Sequence, residues 1–391
     1  MTALLFDDGD LAALNDAWDS EATFAWVSRR SGVDEAWLRA RLALLPDKHR
    51  RGRFILLTSG STGLPKLVIG DRQRAETLVE LLHKVQDLAE VSQTVVTLPL
   101  TYTYAFVNQW LWSRRPGRTL LVTEGLRAPD RLRTALSEAS AAMVCLVGAQ
   151  LPLLRQNLPG ARFVGVTRVH FAGGAFPQGE LNSVREMFPN AVIFNNYGCA
   201  EAMPRLTLRR ADAAQEAHDV GPALPGVELR TDGDGRVLFR SPFACVGQID
   251  EAGYKSFAAG EWIPSGDLGE IDARGHLVLR GRANEVFKRY GEKIALPQLL
   301  RSVAQVWPEA AVFYREADSS GEPGHVLVLC PQPDNTAVRG ILRALRAKHP
   351  RTHWPLRIEG VDSLPQLDNG KVDLLATAAL ADKVVYWNQR I

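Results

Sequence analysis

The sequence predicts an α/β protein in two parts, a large N-terminal domain of parallel sheets flanked by helices with a β-barrel-like portion at its end, and a small C-terminal α+β domain. Three observations carry that prediction. Between Leu120 and Gly174 short apolar runs alternate with helical patterns, as parallel strands covered by helices do. From Val227 to Gly281 the runs VELRTD, RVLFRS and HLVLRG alternate polar and apolar residues between turn signals, which indicates an antiparallel sheet or barrel. From about Asn284 to Ile391 helical and strand patterns mix without regular alternation.

The 391 residues suffice for a large core and a smaller one, and 46% hydrophobic against 23% charged residues argues for a globular chain rather than a disordered one. A formal charge of +2 gives no electrostatic case for nucleic acid or membrane as a partner. Cys145, Cys199, Cys245 and Cys330 form no Cys-x-x-Cys pair and the histidines show no metal-ligand spacing, so reduced thiols and no structural zinc are expected. The first residues are acidic and interrupted by charges, unlike a signal peptide, and no apolar run approaches a membrane span; a cytoplasmic protein is expected.

Taken in order, Asp10 to Trp18 and Val33 to Leu45 carry apolar residues at helical spacing, and the basic run Lys48 to Arg53 reads as a solvated linker. Phe54 to Leu57 is a short buried strand that feeds LTSGSTGLPK, Leu57 to Lys66. Thr58, Ser59, Ser61 and Thr62 supply hydroxyls, Gly60 and Gly63 let the backbone approach an anion, and Lys66 adds a compact positive charge. Together they suit a polyphosphate. Leu64 and Pro65 separate the last glycine from the lysine, so this is not a Walker loop.

Arg72 to Val91 reads as a helix and Thr94 to Leu98 as a strand, followed by PLTYTYAF from Pro99 to Phe106. Tyr102, Tyr104 and Phe106 suit either a substrate pocket or core packing. Strands are expected at LLVTEG, AAMVCLVG and Thr167 to Phe171, with helices at Pro129 to Glu138 and from Pro152. Gly173, Gly174 and Ala175 then make a small-residue turn at a strand end, where ligands of open sheets bind. Val192 to Tyr197 is a strand that runs into Tyr197-Gly198-Cys199-Ala200-Glu201. Further on come Ser265-Gly266-Asp267, the run Leu279 to Gly291, and Leu364-Pro365 through Gly370-Lys371. The last part is expected to hold helices at Pro297 to Val306 and Ala337 to Lys348 and strands at Ala311 to Tyr314, His325 to Leu329 and Leu356 to Glu359. Arg339, Arg343, Arg346, Lys348 and Arg351 make the second of these helices and its exit basic, either a solvated face or a surface for an anionic partner.

In this order the motifs resemble those of the acyl-adenylate-forming enzymes, the family of acyl-CoA and aryl acid ligases, luciferases and peptide-synthetase adenylation modules, over Leu57 to Asp373. The resemblance implies an adenylation domain, residues 1–282, and a small mobile domain, residues 283–391. It also implies a shortened N-terminal region, because the phosphate loop lies far deeper in typical members. Residues Thr58 to Gly63 would cradle the phosphates of ATP, and Gly173, Gly174 and Ala175 would face the adenine. Tyr197 would pack on that base, Asn196 would bond its amino group, and Gly198 would belong to the same ATP-binding segment. Glu201 would hold Mg2+, Asp267 would accept the ribose hydroxyls and Arg282 would bond the ribose. Asn284 would be the hinge, Lys288 would face the site in the second half-reaction, and Lys371 would reach the carboxylate and α-phosphate.

Two departures from the family pattern stand out. Ala200 replaces the usual threonine before the glutamate, and no histidine follows Pro99-Leu100. The LTYTYAF segment also lacks the aspartate that holds a substrate ammonium in amino-acid-activating members, which points to an aryl or other hydrophobic acid. The implied reaction is activation of that acid as acyl-AMP followed by transfer to CoA or to the phosphopantetheine of an acyl carrier protein. The alternatives are an adenylating enzyme with an amine or hydroxyl acceptor, and a catalytically degenerate nucleotide-binding regulatory or scaffold protein.

Overall fold

A computed structural model of the chain describes residues 2–7, 11–59, 65–174, 176–212, 216, 218–366 and 372–389, without the side chains of Ser59 and Asn284. The chain divides into two compact units, Met1–Leu279 and Arg280–Ile391.

Three sheets build the first unit. The second of them explains the alternating pattern most directly. Its strands run in the order Thr207–Arg210, Val192–Tyr197, Val166–Phe171, Ala142–Leu146, Gln93–Val96 and Thr119–Val122, all parallel except the first pair. Every residue of Ala142–Leu146 is buried because both faces are covered. Val144 and Leu146 pack with Leu132 and Leu136 of helix Pro129–Glu138 and with Leu151 and Leu154 of helix Gln150–Asn157. Met143 and Cys145 face the opposite way, into the main core.

The first sheet joins Ala3–Phe6, Phe24–Val27, Arg53–Ser59, Pro65–Asp71, Gly247–Asp250 and Gly253–Ser256 in that order. The third is a five-stranded antiparallel sheet, Asp219–Pro222, His276–Arg282, Ile263–Ile271, Arg236–Arg240 and Glu228–Thr231, an open strand order where a sheet or barrel was expected. Five strands of the first sheet go beyond the sequence reading: Ala3–Phe6, Phe24–Val27, Pro65–Asp71, Gly247–Asp250 and Gly253–Ser256. The expected helix from Arg72 ends at Val85 rather than Val91, because Gln86 caps it and Asp87 turns into the left-handed region at φ 52°.

An aromatic cluster fills the main core. Trp18 lies 5.5 Å from Phe54 and 5.3 Å from Trp110, and Phe106 stacks on Phe54 at 5.0 Å. Beside it the buried guanidinium of Arg72 donates to the backbone carbonyls of Ala17 at 3.1 Å and Trp18 at 2.8 Å, and to those of Ser20 and Ala22. These bonds tie the end of helix Leu11–Asp19 to the start of helix Arg72–Val85. The expected linker at Lys48 to Arg53 is partly built in: His49 is buried, and its Nε2 lies 2.9 Å from the Tyr254 hydroxyl.

The second unit has a four-stranded sheet, Ala310–Ala317, Pro323–Cys330, Arg357–Gly360 and Val384–Asn388, with helices Leu296–Ala304 and Asn335–Lys348. Leu299, Val303, Val338, Ile341 and Leu345 from the helices pack on Leu327, Leu329 and Ile358. A separate hairpin, Val286–Arg289 with Glu292–Ala295, turns through Tyr290 at φ 47° and Gly291 at φ 82°. Among the described residues no helix is long and apolar enough to cross a membrane.

Candidate functional site

The hydroxyl-rich stretch begins on a strand. Arg53–Ser59 and Pro65–Asp71 pair in antiparallel register with Thr58 opposite Lys66 and Ser59 opposite Pro65, so Thr58 and Lys66 share a face. Gly60, Ser61, Thr62 and Gly63 lie outside the described residues. The Thr58 hydroxyl is buried and has no protein partner. Lys66 Nζ forms an ion pair with the Glu201 carboxylate, and both side chains are largely buried.

Glu201 arrives from the second sheet. Strand Val192–Tyr197 leads into the short helical turn Ala200–Ala202, and the backbone oxygen of Glu201 accepts from Cys245 N at 2.8 Å. Val246 N in turn donates to Ile69 O on the first sheet at 2.9 Å. Two sheets are thereby stitched where Lys66 and Glu201 meet. Gly198 is required in this turn, because a Cβ there would sit 1.8 Å from the Pro204 carbonyl oxygen.

The Tyr197 hydroxyl donates to Asp267 Oδ2 at 2.7 Å. Burial and the neighbouring carboxylate push the Tyr197 phenol well above its ordinary value, so it remains a donor. Asp267 is positioned by its own N–H donating to Ser265 Oγ at 3.1 Å, while Ser265 Oγ donates to Val237 O at 3.1 Å. The Asn196 side chain is buried and bonded within the fold, accepting from Gln86 Nε2 at 3.3 Å and donating to Phe171 O at 3.1 Å. Gly173 follows strand Val166–Phe171 with φ 76°, a Cβ on Gly174 would meet nothing within 4 Å, and Ala175 is outside the described residues.

The three aromatic pocket candidates separate in space. Phe106 is fully buried in the aromatic core. Tyr102 is half-buried just ahead of a helical segment that passes into a π-helical run, Phe106–Leu111. Tyr104 is buried, and its hydroxyl donates to His170 O at 2.9 Å.

Arg205, which the motif reading passed over, lies against that tyrosine. It is 1% exposed, its guanidinium carbon is 5.3 Å from the centre of the Tyr104 ring, and Nη2 donates to Asn108 Oδ1 at 2.5 Å. A charged residue inside the otherwise apolar run Ala202-Met203-Pro204-Arg205-Leu206, four residues past Glu201, was the available signal.

In the second unit, Arg282 N donates to Glu285 Oε2 at 3.0 Å and Lys288 is exposed on its hairpin strand. Lys371 lies outside the described residues, between Gln366 and Val372, which pair in an isolated bridge. Among the described residues no cluster of three or more His, Cys, Asp or Glu could hold a metal. Glu201 offers one carboxylate of the kind magnesium takes, an ion that uses one or two carboxylates and draws its remaining ligands from phosphate and water.

A strand lysine of the first sheet thus meets a carboxylate beyond the end of the parallel sheet, in an α/β unit where a buried tyrosine is held by an aspartate. The chain belongs to the AMP-binding enzyme family, whose description matches residues 11–247. It is 26% identical over 339 residues to indoleacetate–CoA ligase of Aromatoleum aromaticum (strain DSM 19018 / LMG 30748 / EbN1), covering 82% of this chain and 65% of that one. It is 22% identical over 339 residues to D-alanine–D-alanyl carrier protein ligase of Staphylococcus aureus (strain JH9), covering 82% of this chain and 69% of that one. The chain thus spans less than two thirds of the first of these relatives, and 35% or less of the longer proteins it also matches. Its fold matches o-succinylbenzoate CoA synthetase of Bacillus subtilis in complex with the acyl-adenylate intermediate, with a TM-score of 0.69 at 18% identity, over 92% of this chain and 78% of that one.

Proposed function

We propose that the chain uses ATP to activate a carboxylic acid with an aryl or other hydrophobic body as its acyl-AMP, and passes the acyl group to a thiol of CoA or of a carrier protein's phosphopantetheine. The observation that carries this reading is the meeting of Lys66 with Glu201. In the first step a carboxylate oxygen bonds to the α-phosphorus and the bond to the bridging oxygen breaks, releasing pyrophosphate. Lys66 and Thr58 neutralise and bond phosphate oxygens, and a buried cation is worth far more there than in water. Asp267 holds the ribose hydroxyls while Tyr197, fixed by Asp267, presents its ring to the base. Glu201 would hold magnesium, which would supply further charge neutralisation at the phosphates. Lys371 brings a second cation to the reacting carboxylate when the small domain closes. In the second step that domain turns about Asn284 and Lys288 comes to face the site, and the thiol replaces AMP on the acyl carbon. The relative named for indoleacetate supports an aryl acid, and the relative named as a carrier protein ligase supports a carrier-bound acceptor.

One observation favours a second reading. Ala200 offers no hydroxyl beside Glu201, which fits a nucleotide-binding protein without turnover. Acid-dependent ATP–pyrophosphate exchange separates the two. Exchange with one class of acid, lost in Lys371→Ala and Glu201→Gln, establishes activation. ATP binding with no exchange across aryl, fatty and amino acids establishes the other.

A further inference from the structure

The interior of the first unit holds a polar cluster that the phosphate-binding residues do not use. Arg205, His170, Asn108, Tyr104 and Cys145 are at most 8% exposed. A guanidinium stays charged in a protein, and a buried charge is tolerated when an opposite charge meets it. No described carboxylate pairs with Arg205; its side-chain partners are the neutral Asn108 amide and Tyr104. Neither nearby acid ionises to compensate, since burial pushes the Tyr104 phenol far up and the Cys145 thiol up to about 12. Arg205 Nε has no hydrogen-bond partner, and neither ring nitrogen of His170 has one. His170 stays neutral, because burial and the neighbouring Arg205 and Arg168 push it well below its ordinary value. Buried polar atoms are rarely left unbonded, and here three fall in one cluster around one unpaired cation.

The cluster adjoins the site. Arg205 belongs to the same turn as Glu201, and its Cα would be 3.0 Å from a Cβ on Gly198. Tyr104 comes from the segment after Pro99-Leu100.

We propose that the activated acid carries a second carboxylate at the end remote from the reacting one, and that Arg205 receives it, with Asn108, Tyr104 and His170 as the polar wall. This rests on the acid-activating reading above and narrows its substrate class. A guanidinium pairs with a carboxylate through two parallel N–H donors, and Nε is the donor the fold leaves unbonded. A purely apolar tail would leave the cation buried and unpaired.

The test is ATP–pyrophosphate exchange with acids matched in skeleton, hexanoate against adipate and phenylacetate against 1,4-phenylenediacetate. We expect the diacids to have at least tenfold higher kcat/KM, and Arg205→Gln to lower the diacid-to-monoacid ratio at least tenfold. Asn108→Asp, which places a carboxylate on Arg205 within the same side-chain volume, is expected to lower the ratio equally and serves where Arg205→Gln does not fold. Preference for monoacids, or an unchanged ratio in a folded variant, overturns the inference and leaves acid activation standing. Absence of exchange with every acid, with ATP binding intact, overturns activation itself. The carboxylate site then stands or falls on whether adipate raises the melting temperature of the unmodified protein and not that of Asn108→Asp.

Discussion

Lys66 and Glu201 are 135 positions apart in the chain and touch in the fold. The sequence motifs bring both forward, together with Tyr197 and Asp267, because each stands in a short contiguous run whose residue types are constrained by charge and hydrogen bonding. Arg205 is not legible in that way. Its meaning lies in Asn108, 97 residues earlier, and in the burial of both. Replacing Lys66 by Ala should lower the rate of acid-dependent exchange by about 10²–10³-fold, the scale of removing one pre-organised charge-stabilising group, with steady-state kinetics as the check. A loss confined to ATP affinity at an unchanged turnover rate would show that Lys66 only binds. His325, in the second unit, offers a test of stability instead. It is buried between Phe287 and Phe313, and burial with Arg289 and Arg315 nearby lowers it to about 3. The unfolded chain takes up this proton near pH 6.5 and the folded unit does not. Stability is therefore full above pH 6.5 and falls with decreasing pH towards 3, by up to about 1.4 kcal/mol per pH unit. His325→Phe should flatten the fall in melting temperature between pH 6.5 and 4.5.

Strand Ala142–Leu146 was visible in the sequence because a parallel strand buried on both faces is apolar at every position. The strands Ala3–Phe6 and Phe24–Val27 were not, being four residues each, too short to show a period. The strand Pro65–Asp71 was hidden for another reason: it opens with Pro and Lys, which read as loop, and takes its pairing from Arg53–Ser59 across the connection. The aromatic run from Tyr104 carried no signal for its π-helical continuation, since side-chain spacing there serves the cluster around Trp18 and Phe54. The turn after Val192–Tyr197 gives a prediction at this scale. Gly198→Ala must move the Pro204 carbonyl, whose oxygen would otherwise lie 1.8 Å from the new methyl. We expect a loss of about 1–3 kcal/mol in denaturant unfolding, the range of overpacking in a close-packed interior. Exchange activity should fall with it, because Tyr197 and Glu201 flank the turn. Unchanged unfolding would mean that the turn yields freely.

At the scale of the molecule, the hydrophobic clusters respect the division into units: those of the first draw on residues up to Leu279 and those of the second on residues from Phe287 onward. Residues 280–391 should accordingly fold when produced alone and unfold cooperatively, as calorimetry or far-UV circular dichroism would record. A disordered fragment would contradict this. Along the sequence the pattern changes from strands alternating with helices to short antiparallel strands and then to a mixed α+β segment, while the compact units divide between Leu279 and Arg280.

The Arg72 guanidinium, fanned across the carbonyls at the end of helix Leu11–Asp19 and the start of the next strand, bears on how the chain can be shortened. Removing residues 1–27 would not trim an appendage. It would strip four backbone acceptors, leaving only the Arg53 carbonyl, from a charge seated at the head of helix Arg72–Val85, one residue beyond the strand that carries Lys66, and uncover the faces of Phe54 and Trp110 that Trp18 covers. Deletion from this end therefore reaches the strand that carries Lys66 directly, so tolerance of cuts should be sought in surface turns such as that at Asp232 to Gly235.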